Sequence, residues 1–326
     1  MAHTGKGSGA TAAAPTILIL AGGLSHERDV SLRSGRRVAE ALREAGCTVL
    51  ESDLDQNLLP TLNRQAVDLV WPLLHGAQGE DGSVRDVLAL MGIPYLGSDA
   101  RAARTAWNKA IAKSIVRRAG LATPDFVTFP KSLFRELGPA GLLQVIESSM
   151  GLPLVVKPLH GGSALGMSVV PDGAGLPQAM MDCFAYAEVA LIERAVTGTE
   201  LAVSVIDLGD GPFALPAVEI ETTDGSYDYD ARYNPGRTEF FAPARVSTEV
   251  AATAAAMAVT AHHELGLTRI SRTDMIVDGD GVPWFLEVNV APGMQETSLL
   301  PQAALAAGYE LPRLYRDLAQ ASIDAG

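Results

Sequence analysis

Residues Arg269 to Val290 read RISRTDMIVDGDGVPWFLEVNV. They form two apolar runs, Arg269 to Val277 and Trp284 to Val290, each interrupted by polar groups two positions apart. Side chains on a strand alternate faces with a period of 2. Arg272 and Asp274 therefore share one face of the first strand. Glu287 and Asn289 share a face of the second, among Trp284, Phe285, Leu286, Val288 and Val290. Charged groups on strands otherwise fit for burial are costly unless they are paired or bind a metal. Two carboxylates and an amide oxygen are hard donors suited to Mg²⁺, which uses few protein ligands alongside substrate phosphates. A structural salt bridge between Arg272 and Glu287 is the alternative. Polar pairs on both strands favour the metal.

The 326 residues around this stretch suggest two to three domains at roughly 150 residues each. Hydrophobic residues make up 48% and charged residues 19%, which excludes a disordered, collagenous or coiled-coil chain. Asp and Glu number 38 against 25 Lys and Arg, a formal net charge of −13. That balance excludes a binder of the nucleic-acid backbone and a protein that docks on anionic membrane. Cys47 and Cys183 are too few for a disulfide framework and lack metal-site spacing, so two buried thiols in a reducing compartment are expected. The longest alanine-rich run, Val250 to Ala261, is broken by threonines and ends in His262 and His263; no segment reads as a membrane span. Residues 1–14 lack the apolar middle of a signal peptide and read as a disordered leader. A soluble, cytoplasmic protein is expected.

The first third alternates strands and helices. Thr16 to Leu20, Cys47 to Leu50 and Val67 to Leu74 read as strands, with Asp29 or Ser31 capping a helix that runs to about Gly46. This βαβ order predicts a parallel sheet covered by helices. Ala100 to Arg118 reads as one helix, with a domain boundary near residue 100. The middle third has a helix around Leu142 to Ser149 and strands at Leu154 to Lys157, Met167 to Val170 and Val189 to Glu193. The last third adds strands at Leu201 to Leu208 and Ala214 to Glu221, a polar loop from Thr222 to Thr238, and a long alanine-rich helix before the two strands first quoted.

Three loops carry possible chemistry. Lys157 to Gly166 holds three glycines and a serine between strands, exposing backbone N–H groups that suit phosphate oxygens; an unliganded hairpin is the alternative. The chain has five lysines, Lys6, Lys109, Lys113, Lys131 and Lys157. A composition sparing in lysine that ends a strand on Lys157 points to a compact ammonium wanted there, or else to a plain surface lysine. His75 to Gly82 follows a strand and could place a histidine and backbone amides at the carboxyl edge of the sheet, where open α/β sheets bind ligands. It could also be a helix start with Asp81 near the cap. Tyr227 to Tyr233 puts three of the seven tyrosines in one polar loop, either a lid over a site or a packed surface loop.

Taken in order, these motifs resemble the D-alanine–D-alanine ligase family of the ATP-grasp superfamily. The carrying segments are Gly22 to Ser31, His75 to Gly82, Gly92 to Ser98, Lys157 to Gly166, Tyr227 to Tyr233, Arg272-Thr273-Asp274 and Glu287 to Met294. The resemblance implies an α/β, three-lobed ATP-grasp fold with an N-terminal Rossmann-like parallel-sheet domain (residues 15–105), a central ATP-grasp subdomain (106–196) and a C-terminal catalytic domain (197–326). It implies an ATP- and Mg²⁺-dependent carbon–nitrogen ligase of cell-wall synthesis that joins two D-alanines through an acyl phosphate, in a homodimer. By position, Lys109 and Lys157 would contact ATP phosphates. Glu193 and Glu200 would hold the adenine amine and ribose, with Ala195 and Val196 beside the base, and Arg232 and Phe285 would complete the nucleotide site. Asp274, Glu287 and Asn289 would bind two Mg²⁺ ions, with Mn²⁺ as a substitute. Glu27 would take the first ammonium, joined by Ser163 and Tyr233. Arg272 and the Gly293 amide would stabilise the oxyanion, and His75, Ser298 and Leu299 would receive the second amino acid.

Several positions depart from the family pattern. Arg85 and Asp86 stand where glutamine and glycine are usual, and Arg232 replaces a lysine. Leu159-His160-Gly161 replaces Ser-Arg-Glu, Ala164 replaces a second serine, and Thr273 and Val290 are also atypical. These departures lie near the substrate loops, so a paralogue that ligates a different amino acid or a hydroxy acid is the alternative reading.

Overall fold

The computed structural model describes residues 14–162, 164–222 and 238–325. Residues 1–13 of the expected leader, Ser163, and the tyrosine loop with Arg232 and Tyr233 lie outside the described residues.

Three sheets follow one another along the chain. The first has strands β1 (Thr16–Leu20), β2 (Thr48–Ser52) and β3 (Leu69–Pro72), all parallel, in the order β2-β1-β3. Its central strand is apolar and buried from Ile17 to Leu20 because both faces are covered. Ile17 and Ile19 pack with Val38, Leu42 and Trp71 on one side, and Leu18 and Leu20 with Leu58, Leu62 and Leu88 on the other. The first helix, Arg28–Glu44, starts after Glu27 without a side-chain cap, correcting the expected cap at Asp29 or Ser31. Ser31 is instead one turn inside. Its hydroxyl donates to the Leu73 carbonyl at 2.7 Å and accepts from the Gly22 N–H at 2.8 Å. A buried hydroxyl is better satisfied by two loop backbones than by its own helix, and the bonds pin the loops after β1 and β3 together.

The second sheet comprises β4 (Phe126–Pro130), β5 (Leu154–Pro158), β6 (Ser168–Val170) and β7 (Val189–Arg194), antiparallel in the order β4-β7-β5-β6. Helices Pro139–Met150 and Leu176–Tyr186 cover one face, packing Ile146, Met180 and Cys183 on Leu154, Val156 and Ile192. The third comprises β8 (Thr199–Asp207), β9 (Pro212–Ala214), β10 (Val218–Thr222), β11 (Thr238–Phe241), β12 (Ile270–Val277) and β13 (Pro283–Asn289). Its order is β11-β10-β8-β12-β13, with β9 also on β8. The run expected as one strand from Ala214 to Glu221 is two, because Pro216 has no N–H for the ladder.

The helix expected over Ala100 to Arg118 is likewise two, Ala100–Trp107 and Lys109–Arg118. Asn108 between them has extended backbone (ψ 98°), and its side chain accepts from the Ile111 N–H at 3.1 Å. Such an N-cap stabilises a helix start by about 1 kcal/mol. The break places Lys109 in a first turn.

The last helix, Leu311–Asp324, returns to the first sheet. Leu314, Tyr315 and Leu318 join the cluster around Ile17 and Trp71, with the Trp71 and Tyr315 rings edge-to-face at 5.6 Å, an arrangement worth about 1 kcal/mol beyond the area buried. Both cysteines are buried free thiols. Among the described residues no helix is long and apolar enough to cross a membrane.

Candidate active site

Between the second and third sheets lies a cavity of about 540 Å³. On β5, Leu154 and Val156 are fully buried in the core, so alternation turns Val155 and Lys157 into the cavity. Glu193, at the end of β7 and opposite Val155 in register, comes from the neighbouring strand. Ala195, Val196 and Glu200 follow it along the wall, and the Ala195 N–H donates to the Pro153 carbonyl at 3.1 Å.

Glu193 sits between two ammonium groups. Lys157 Nζ is 2.5 Å from one carboxylate oxygen and Lys113 Nζ 2.8 Å from the other. Burial alone would raise the Glu193 carboxyl, but the two lysines outweigh it and hold it below the ordinary glutamate value. Burial also pushes the Lys113 ammonium down to about 8, against the pull of Glu193. The carboxylate is therefore ionised at neutral pH, which a buried acid achieves only when its charge is compensated.

The opposite wall is built by β12 and β13. Asp274 and Glu287 face each other in register, and both line the cavity. The Arg272 guanidinium grips Asp274 through two bonds, 2.6 Å and 2.7 Å. Lys109 Nζ is 3.1 Å from Glu287 and also donates to the Gly161 carbonyl, while the Lys109 N–H donates to the Leu159 carbonyl at 3.3 Å. One lysine thus ties the 159–162 loop to the acid pair. Trp107 stacks on His160 at the same loop, ring centres 6.0 Å apart, and burial, then Lys109, lowers the His160 pKa.

A register shift between Asp274 and Met275 explains one misplaced expectation. Glu287 pairs with Asp274 but Phe285 with Met275, so Leu286 is an extra residue on β13. A bulge of this kind resets the alternation of faces. Leu286 and Glu287 line the cavity, while Phe285, fully buried, packs with Met275, Val203 and Ala258. The Phe285 ring therefore does not line the cavity, and its carbonyl accepts from Lys113 instead.

Glu27 and Gly76 enter the cavity from the first lobe. Gly76 has φ +77°, and a Cβ there would lie 3.0 Å from the Ser25 side chain and 3.4 Å from a Glu27 oxygen, so the turn admits only glycine without strain. The Gly76 N–H donates to Glu80 at 2.9 Å. Burial, reinforced by Glu27, raises the Glu80 carboxyl to about 8. His75 is buried behind this turn, 3.5 Å from the Ser34 hydroxyl, and burial lowers its pKa. Ser34 also accepts from the Met294 N–H at 3.2 Å, which brings the loop after β13 against the first lobe. In that loop a Cβ on Gly293 would lie 2.8 Å from Ser298 Oγ, and Leu299 opens helix Leu299–Ala306. The Asn289 side-chain oxygen accepts from the Ala291 N–H at 2.7 Å.

Glu27, Lys109, Lys157, Glu193, Ala195, Val196, Glu200, Asp274 and Glu287 thus gather around one cavity. His75, Arg272, Asn289, Gly293, Ser298 and Leu299 stand behind or beside it. Sequence reasoning gave no role to Lys113 or Glu80. For Lys113 a signal was present: it lies four residues after Lys109 on one helix, hence on the same face, and lysine is scarce in this chain. Among the described residues no three His, Cys, Asp or Glu side chains converge on one point. A divalent ion here would draw on the two carboxylates, the amide and oxygens from a bound phosphate, the hard-donor set that Mg²⁺ takes.

Residues 51–98 match the family model described as D-ala D-ala ligase N-terminus, and residues 115–320 match D-ala D-ala ligase C-terminus. The chain belongs to the D-alanine–D-alanine ligase family. It is 40% identical over 298 residues to a D-alanine–D-alanine ligase of Anaeromyxobacter sp. strain K, covering 91% of this chain and 94% of that one. A D-alanine–D-alanine ligase of Pelotomaculum thermopropionicum is 37% identical over 306 residues, 94% and 96% of the two chains. Among solved structures, the VanG D-Ala:D-Ser ligase from Enterococcus faecalis aligns with TM-score 0.82 at 25% identity, over 95% of this chain and 99% of that one. The Bacillus anthracis D-alanine–D-alanine ligase complexed with ATP aligns with TM-score 0.80 at 28% identity, over 96% and 98%. The fold is the α/β ATP-grasp fold of this family, with a parallel, Rossmann-like sheet as its first lobe.

Proposed function

We propose that this ATP-dependent ligase joins two D-alanines, with each end of the cavity doing one part of the work. The observation that carries the reading is the facing pair Asp274 and Glu287, each held by a cation, at the mouth of a cleft whose other end is lined by Glu193 and Lys157. The lobes 15–105, 106–196 and 197–326 would supply, respectively, the amino-acid side, the nucleotide grip and the catalytic wall. The relatives' shared activity supports the substrates, and the ATP-bound relative supports the nucleotide.

Adenine would lie against Ala195 and Val196, its amine toward Glu193, with the ribose at Glu200. Lys109 and Lys157 would meet the phosphates. Asp274, Glu287 and Asn289 would hold Mg²⁺, which when bound offsets phosphate charge. Glu27 would anchor the first ammonium, placing that D-alanine's carboxylate toward the γ-phosphate. A carboxylate oxygen bonds to phosphorus, the bond to the bridging oxygen breaks, and ADP leaves. Positioning and electrostatics supply most of such a barrier reduction. The second amine, losing a proton, then attacks the acyl carbon of the acyl phosphate. Arg272 and the Gly293 amide would stabilise the oxyanion, with His75, Ser298 and Leu299 around the second amino acid, and phosphate departs. Ser163 and Tyr233 are proposed to close over the intermediate and keep water out, with Arg232 at the nucleotide. A homodimer in the cytoplasm is part of the same proposal, supported by the family resemblance.

The test is a panel of D- and L-amino acids, singly and in pairs, with ATP and Mg²⁺, read by phosphate release and product mass. D-alanyl-D-alanine is the expected dominant product. Release with no amino acid of the panel would reject a ligase, and a dominant mixed product would replace D-alanine as the second substrate.

A further inference from the structure

Lys113 is the most enclosed cation near the cleft, fully buried on helix Lys109–Arg118. An ammonium has three protons, and three acceptors meet this one. They are Glu193 at 2.8 Å, the Thr123 hydroxyl at 2.8 Å and the Phe285 carbonyl at 3.2 Å. The Thr123 hydroxyl itself donates to the Phe285 carbonyl at 2.8 Å, so the far side of the cluster is fixed. Glu193 belongs to the second sheet and Phe285 to the third. Lys113 therefore bridges both walls of the cleft from behind, at the acid proposed to meet the adenine amine.

The bulge on β13 contributes here. By turning the Phe285 ring into the core it leaves the carbonyl as a rigid acceptor facing Lys113. Taking an ammonium out of water is costly, so keeping Lys113 in the back wall calls for a use. Lys157, the other partner of Glu193, stands in the cavity, where a bound nucleotide would compete for it. Only Lys113 would stay on Glu193 in both states.

We infer that Lys113 is a positioning residue for base selection: it holds the Glu193 carboxylate ionised and oriented toward the 6-amino group of adenine. The inference rests on the reading of Glu193 given above. A carboxylate accepts from the adenine amine but repels the carbonyl oxygen that inosine carries at the same position. With the acid charged and fixed, ATP is preferred over ITP.

The experiment measures kcat/KM for ATP and for ITP with D-alanine in the wild type, Lys113→Met, Lys113→Gln, Lys113→Arg and Glu193→Gln. The ratio is taken within each preparation, so loss of folded protein cancels. Both neutral Lys113 variants should lose about tenfold of the ATP preference, the ~1.4 kcal/mol by which a charge-assisted hydrogen bond exceeds a neutral one. Glu193→Gln should lose a similar factor, while Lys113→Arg retains most of the preference. If Glu193→Gln loses the preference and both neutral Lys113 variants keep it, Lys113 is only structural and the inference is overturned. If Glu193→Gln keeps it, the adenine assignment of Glu193 itself falls, and the inference with it.

Discussion

The two ends of the cleft solve the same electrostatic problem in different ways. At the end proposed for the base, one acid, Glu193, is shared by two lysines and is only 2% exposed. At the end proposed for the phosphates, two acids face each other, Asp274 with Arg272 and Glu287 with Lys109, and the Glu287 side chain is 17% exposed. One acid between two cations is a closed arrangement, suited to holding a fixed group. Two opposed acids lining a cavity, one of them beside a lysine that also lines it, are an open one. Their repulsion is relieved further by any cation that arrives, and their lysine is available to any phosphate. Under the proposed function, binding belongs to the first end and chemistry to the second.

The largest effect should come from breaking the open end. Glu287→Gln keeps size and hydrogen bonding but removes a charge that Lys109 and a metal would share. It should lower kcat by more than about a hundredfold, with the melting temperature near that of the wild type. Phosphate release and thermal denaturation by circular dichroism measure both; near-wild-type turnover would remove the metal assignment. Arg272→Met comes next. In the proposed role its charge is needed most when the oxyanion forms, so kcat should fall by about a hundredfold while the KM for D-alanine moves little. A change confined to KM would place Arg272 in ground-state binding instead.

A smaller effect sharpens the comparison through stability. His262 is buried behind β12, its ring 2.7 Å from the Ser271 hydroxyl, next to Arg272. Burial lowers its pKa from 6.5 to about 4. A group that is neutral when folded but protonates when unfolded contributes stability above about pH 6.5 and loses it as pH falls toward about 4. The loss should be on the order of 3 kcal/mol. Melting curves of the wild type should steepen downward through that window more than those of His262→Gln; identical profiles would contradict the assignment. The smallest change is at the helix break. Asn108→Ala should cost about 1 kcal/mol of stability and raise the KM for ATP through Lys109, leaving the ATP-to-ITP preference intact. Kinetics with both nucleotides decide it.

Much of this was written in the chain. Alternation on β12 and β13 placed Asp274 beside Arg272 and Glu287 beside Asn289 without any structure, because period-2 patterning is local. The parallel first sheet was equally readable from the alternation of short strands and helices along the first third of the chain. What escaped was set by contacts distant in sequence. The Phe285 ring was misplaced because a bulge depends on the partner strand. The single helix over Ala100 to Arg118 failed at one asparagine whose cap is worth about as much as a few residues' helix propensity. Ser31 was taken for a cap because nothing local reveals that Leu73 and Gly22 compete for its hydroxyl. The spacing of Lys113 from Lys109 hinted at a shared face, but its partners were hidden because they come from three separate segments.

The direct test of chemistry at the open end follows an atom. With D-alanine labelled by ¹⁸O in its carboxylate, attack of that carboxylate on the γ-phosphate and later departure of phosphate carry one ¹⁸O into each inorganic phosphate released. Mass spectrometry of the phosphate should show that single label, in step with dipeptide formed. Unlabelled phosphate accompanying dipeptide would contradict the acyl-phosphate route.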